Sequence, residues 1–236
     1  MSTLAVDNNM STDTQNQSEN EALGLLYRRS VKGNTPDILP DIYQDDVNIV
    51  VWQRNLENEL TTAVSNFLEH NKTLASVLVV TPENCFEVLS EKFEKSETIT
   101  PLINDITLLV DMFCCLFELK GAGLRLTVLD RPMCPRFHVD RIPCRLVTTY
   151  QGIATQWLNN NIIDRTKLGV GSQGKPDEES GLIASTNDIN QLTQGDIALL
   201  KGEHWDEQEG AGLVHRSPAV SQGERRLLLT LDFIND

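Results

Sequence analysis

The sequence predicts an α+β fold, a double-stranded β-helix (jelly roll) with helices from the N-terminal half packed on one of its faces. Two observations carry this. Up to about residue 123 the apolar residues recur every three or four positions, whereas beyond it they alternate in short runs rich in β-branched and aromatic residues. The second half is also cut by turn signals such as Gln194-Gly195-Asp196, which keep each run too short for a helix. The expected organisation is a disordered tail over 1–21, a lead-in with supporting helices over 22–123 and a jelly-roll core over 124–236, with 22–236 folding as one structural unit.

Residues 1–21 are rich in Ser, Thr, Asn, Gln and Asp, and bury too little apolar surface to offset the entropy of ordering. From Ala22 to Asp46, short apolar pieces interrupted by Gly33, Pro36 and Pro40 suit an extended lead-in over the domain surface. Trp52, Leu56, Leu60, Ala63, Val64 and Phe67 share one face of an amphipathic helix from about Val51 to His70. Thr81-Pro82-Glu83 is a helix start that Phe86, Leu89 and Phe93 continue. Thr100-Pro101 opens a third helix carrying Ile103, Ile106, Val110, Phe113 and Phe117 and ending at Gly121-Ala122-Gly123. It is the most apolar of the three and should be the most buried.

Strands are expected at 124–129, 136–138, 144–150, 155–158, 196–200, 212–215 and 226–233. Asn159 to Gly181 is polar and glycine-rich, too long for a hairpin, and reads as a mobile loop near the site. His204-Trp205-Asp206-Glu207 reads as an acidic loop with a half-buried Trp.

Composition narrows the partners. With 34 acidic and 20 basic residues the net charge is −14, which repels phosphate backbones and anionic lipid and disfavours nucleic acid. No apolar run is long enough to span a membrane. The five cysteines, an odd number without a secretory leader, point to reducing cytoplasm.

The chemistry centres on His138-Val139-Asp140. Two positions apart on a strand, both side chains leave the same face and can converge on one ion. Alternatively, Asp140 simply pairs with Arg141 or Arg145. Downstream, His215 follows an apolar run, and Arg225-Arg226 opens the β-type run Leu227 to Leu231. Two imidazoles and one carboxylate on one side of a metal suit Fe(II) or Mn(II) and leave the other side for ligands, the arrangement a mononuclear Fe(II) site needs. If the arginine strand lies antiparallel beside that of His215, one guanidinium can grip a carboxylate in a bidentate fork. Parity puts Arg226, Leu228 and Thr230 on one face and Arg225, Leu227, Leu229 and Leu231 on the other. The greasier second face should pack on the helices, leaving Arg226 and Thr230 toward the cavity, with Arg225 as the alternative. Tyr150 and Thr155 are further candidates to line the pocket, Tyr150 through a hydrogen bond to a co-substrate, whereas Trp157 is expected in sheet packing.

The pattern His138-x-Asp140, His215, Arg225/Arg226 resembles the Fe(II)- and 2-oxoglutarate-dependent dioxygenases over about 124–233. Through Cys-Pro-Arg-Phe-His-Val-Asp, Thr-Thr-Tyr-Gln-Gly and His-Arg-Ser-Pro, the chain also resembles a bacterial family known as domain of unknown function 1826. The resemblance implies a cupin-like fold, iron held by His138, Asp140 and His215, and 2-oxoglutarate held by Arg226 or Arg225. It implies an oxidoreductase acting on a small molecule or protein. It also implies a link to zinc homeostasis and metal-chaperone GTPases, whose genes often neighbour that family. A second reading keeps the barrel without turnover, as a zinc-binding protein of metal homeostasis using Cys134, His138 and Cys144 with Asp140 or His215. A third makes the chain a cofactor-free interaction module.

Overall fold

The computed structural model describes residues 27–94, 96–205, 210 and 212–234. The expected disordered tail, the first residues of the lead-in and the acidic Asp206-Glu207 lie outside them.

Among the described residues, ten strands form two facing sheets. The larger has the order β1 (Arg29–Gly33), β2 (Val47–Trp52), β8 (Ile197–Lys201), β5 (Cys144–Gln151), β10 (Arg226–Asp232), β4 (Ala122–Leu129) and β3 (Ala75–Val80). All neighbours are antiparallel except β1 and β2. The smaller sheet orders β7 (Ile189–Gln191), β6 (Gln156–Leu158) and β9 (His215–Arg216). Three helices, α1 (Asn58–His70), α2 (Cys85–Lys92) and α3 (Thr100–Leu116), cover the outer face of the larger sheet.

Strand parity builds these layers. Leu227, Leu229 and Leu231 of β10 join Leu146 and Tyr150 of β5 in the core beneath Phe67 and Phe113. The alternate residues Leu228, Val147, Leu200 and Val51 face the smaller sheet and pack with Trp157 and Leu213. Helix α1 buries Leu60, Ala63, Val64, Phe67 and Leu68, the stripe its spacing requires.

The structure corrects several boundaries. The first helix begins at Asn58, because Val47 to Trp52 is a strand buried on both faces, where β-branched residues pack best. The lead-in contributes edge strand β1 and a 3-10 helix, Pro36–Tyr43, that buries Leu39 and Ile42. β3 lies between the first two helices, where no strand was expected. Three of the seven strands of the main sheet therefore precede residue 123, and the sheet does not divide where the periodicity changes. The Thr81 signal is a reciprocal turn: Asn84 Oδ1 accepts from Thr81 N at 2.8 Å and Thr81 Oγ1 from Asn84 N at 3.3 Å, with α2 starting one residue later. Helix α3 stops before the glycines. Glu118 takes a left-handed φ of 53°, and Leu119 N donates back to the Cys114 carbonyl, a Schellman closure without glycine. The 136–138 strand reduces to one bridge, His138 to His215. The 159–181 segment winds through 3-10 turns at Asn160–Ile162, Arg165–Lys167 and Gly169–Ser172. Among the described residues, no helix is long and apolar enough to cross a membrane.

Candidate metal centre

His138 and His215 are brought together by backbone pairing. Each donates its amide to the other's carbonyl at 3.0 Å, and their rings lie 4.6 Å apart. Asp140 follows two residues on. Its Oδ1 lies 3.5 Å from His138 Nε2 and its Oδ2 lies 3.4 Å from His215 Nε2. One ligand atom from each of the three sits within 4.8 Å of the others.

The far sides of both rings are held. His138 Nδ1 is 2.9 Å from the Arg136 carbonyl and His215 Nδ1 is 3.1 Å from the Leu213 carbonyl. A carbonyl only accepts, so each Nδ1 carries a proton and Nε2 is the ring atom left for a metal, as metal-ligating histidines require. Burial favours neutral His138, but its contacts with Asp140 and the Arg136 carbonyl outweigh that and raise its pKa. Burial would likewise raise the Asp140 carboxyl, yet His138, His215 and Arg145 together hold it well below the usual carboxylate range. The donor set, two neutral nitrogens and one anionic oxygen on one side, fits a divalent iron ion.

Arg145 of β5 donates to Asp140 Oδ2 at 2.5 Å and forks onto Asp232 of β10 at 2.7 and 2.9 Å. The Asp140–Arg145 pairing weighed from sequence therefore coexists with the three-group cluster. Asp177, only 4% exposed, ties the two histidine segments together. It accepts from Phe137 N at 2.8 Å, Arg136 Nε at 2.7 Å and Arg216 at 3.3 Å, one residue from His138 on one side and from His215 on the other. Beneath Asp140, Gly202 brings the end of β8 against the 140–143 turn. A Cβ there would lie 2.0 Å from the Ile142 carbonyl oxygen.

A cavity between the sheets is lined by His138, His215, Arg145, Arg226, Leu228 and Thr230, among others. Arg226 lies on β10, which is not beside β9. It belongs to the opposite sheet and reaches the histidines across the gap. Its guanidinium is fully buried and donates to Thr149 at 3.1 Å, Thr155 at 2.7 Å and Ser217 at 3.0 Å, all hydroxyls. Among the described residues no carboxylate pairs with it, and burial lowers it to about 10. Arg225 points the other way and donates to the Leu68 carbonyl of α1. Thr230 faces the cavity, its buried hydroxyl without a hydrogen-bond partner.

Tyr150 does not line this cavity. It shares its parity on β5 with Leu146 and so lies under the helices, where its hydroxyl donates to Asp105 at 2.6 Å. Its neighbour Thr149 faces the cavity instead. The cysteine-based zinc cluster does not assemble either. Cys144 is buried under the helices, where desolvation pushes its thiol up, while Cys134 lies exposed at the cavity. Arg145, Thr149, Ser217 and Arg125 were not singled out as site residues from sequence. The signal for the two arginines is a lone cation inside an otherwise apolar strand.

The fold is that of the jelly-roll oxygenases. Over 88% of this chain and 83% of the other, it matches the dioxygenase for auxin oxidation of rice, with 10% identity and a TM-score of 0.51. Looser likenesses include a Pseudomonas putida prolyl-4-hydroxylase (12% identity, 85% and 98% covered, TM-score 0.40) and JOX2, solved in complex with 2OG, Fe and JA (11%, 89% and 77%, 0.45). No curated protein matches the sequence. The chain belongs to the family described as protein of unknown function DUF1826, whose model matches residues 33–232.

Proposed function

We propose that the protein is an Fe(II)- and 2-oxoglutarate-dependent dioxygenase, with His138, Asp140 and His215 as metal ligands and Arg226 as the anchor of the co-substrate's distal carboxylate. The observation that carries this reading is the pairing, in one cavity, of the two-histidine, one-carboxylate cluster with a buried guanidinium that lacks a counter-ion. A buried charge without a partner is costly, and a planar carboxylate matches its fork. Thr230, four residues further along β10, lines the same cavity with a buried hydroxyl that has no partner, a second polar contact for a ligand that extends from Arg226.

When bound, iron and 2-oxoglutarate supply the oxidising power of dioxygen to a substrate C–H bond. The chain's own part is orientation. The carbonyls of Arg136 and Leu213 fix the two Nε2 lone pairs, Arg145 holds one oxygen of Asp140, and Asp177 keeps the histidine segments in register. Leu228, Val147 and Leu200 keep the inner wall dry.

The test is an anaerobic titration of metal-stripped protein with Fe(II) and then 2-oxoglutarate, following the visible charge-transfer band of a chelated 2-oxo acid. The band should form in wild type and be lost in His215→Ala. Its absence from wild type, or its persistence in the variant, would overturn the assignment.

A further inference from the structure

Beyond Arg226, the cavity holds a second cation that has no counter-ion among the described residues. Arg125 lies in β4 between the buried Leu124 and Leu126, yet points to the opposite side of the sheet, into the cavity that holds the histidines. The other arginines of that lining are engaged: Arg145 by Asp140 and Asp232, Arg216 by Asp177 and Glu178, Arg226 by three hydroxyls. Among the described residues, the Arg125 side chain makes no hydrogen bond and no ion pair.

Its surroundings are apolar and open. Val77 of edge strand β3 is its register partner, so both side chains rise from the same face. Val77 and, two residues on, Val79 are 67% and 66% exposed, and Met133 of the cavity lining is 41% exposed. Across β10, Arg125 stands opposite Thr230, whereas Arg226 stands opposite Leu129. Four residues of strand and one strand spacing set the two arginine backbones about 14 Å apart. Arg226 is pinned by Thr149, Thr155 and Ser217 away from the Arg125 end. The cavity thus presents two separate guanidinium groups, one buried and one at an apolar mouth.

We propose that Arg125 binds the anionic group of the substrate, a carboxylate or phosphate carried on an apolar body that lies along Val77, Val79 and Met133. The assignment of this ligand as the oxidised substrate rests on the dioxygenase reading; the anion site itself does not. A guanidinium fork recognises either anion, and an apolar flank with no fixed polar partners selects a hydrophobic body over a sugar or peptide backbone.

The experiment is calorimetric titration of the full chain with octanoate, octyl phosphate and octan-1-ol, first without metal and then with Mn(II) and 2-oxoglutarate, in wild type and Arg125→Gln. Arg125 is partly exposed, so the variant should unfold at the wild-type temperature, which thermal unfolding checks. At least one anion should bind wild type, the variant should bind it about tenfold more weakly, and the alcohol should not distinguish the two proteins. The tighter of the two anions identifies the head group. Equal binding of the anion by both proteins, or no anion binding at all, would overturn the proposal. So would a loss of 2-oxoglutarate affinity in Arg125→Gln, because Arg125 would then serve the co-substrate. Arg125-dependent anion binding in a protein that ignores 2-oxoglutarate would sink the dioxygenase reading and leave the anion site standing.

Discussion

Replacing Arg226 with methionine keeps most of the side chain's volume and removes its charge, which separates a structural strut from an anion receptor. Burial alone lowers the guanidinium from its ordinary value to about 10. A base whose folded pKa is depressed opposes folding wherever it stays charged, so the penalty is fully present below about pH 10 and on the order of 3 kcal/mol. Methionine relieves that penalty but strips the hydroxyls of Thr149, Thr155 and Ser217 of their donor, at about 1 kcal/mol each. The two effects nearly cancel, and the ligand-free variant should unfold in urea within about 2 kcal/mol of wild type. Binding should not cancel. Losing a buried charge-assisted contact to the co-substrate costs about 3 kcal/mol, or on the order of a hundredfold in the dissociation constant for 2-oxoglutarate in the presence of Mn(II). A variant that loses much more stability while binding 2-oxoglutarate as wild type does would refute the argument, because the arginine would then be a strut.

Three further substitutions probe the frame around the site. Gly202→Ala places a methyl against the carbonyls of Ile142 and Asp140, at 2.0 and 2.8 Å, and should weaken Mn(II) binding about tenfold by calorimetry while the far-ultraviolet circular dichroism stays unchanged. Tyr150→Phe removes one hydrogen bond to Asp105, whose bidentate pair with Arg54 remains; it should cost about 1 kcal/mol in urea unfolding and leave 2-oxoglutarate affinity alone. A large affinity loss would put Tyr150 back in the cavity. Asp177→Ala strands Arg136, Arg216 and the Phe137 amide, and should cost about 3 kcal/mol of stability together with a loss of Mn(II) affinity. Unchanged metal binding would show that the histidine segments hold their register without it.

The residues of the cluster were legible in the sequence because their signals are local. The two-residue spacing of His138 and Asp140 suffices to turn both toward one point on extended backbone, and the alternation Arg226, Leu228, Thr230 against Leu227, Leu229, Leu231 already separates a cavity face from a helix face. The apolar stripe of α1 from Leu60 onward was equally local. Tyr150 shares its parity with Leu146, so the alternation of β5 already set it under the helices and away from the cavity, and the strand Val47 to Trp52 was not read because a strand buried on both faces has no alternation to see. The tertiary structure alone decided what depends on distant pairing. It put β9 and β10 in opposite sheets, so that His215 and Arg226 face each other across a gap, and it buried Cys144 away from His138. Among the described residues it also left Arg125 and Arg226 without counter-ions, while Arg145 and Arg216 of the cavity lining found carboxylates. Local pattern specifies which face a side chain leaves from; only the packed sheets determine what stands opposite it, because that partner comes from a strand dozens of residues away.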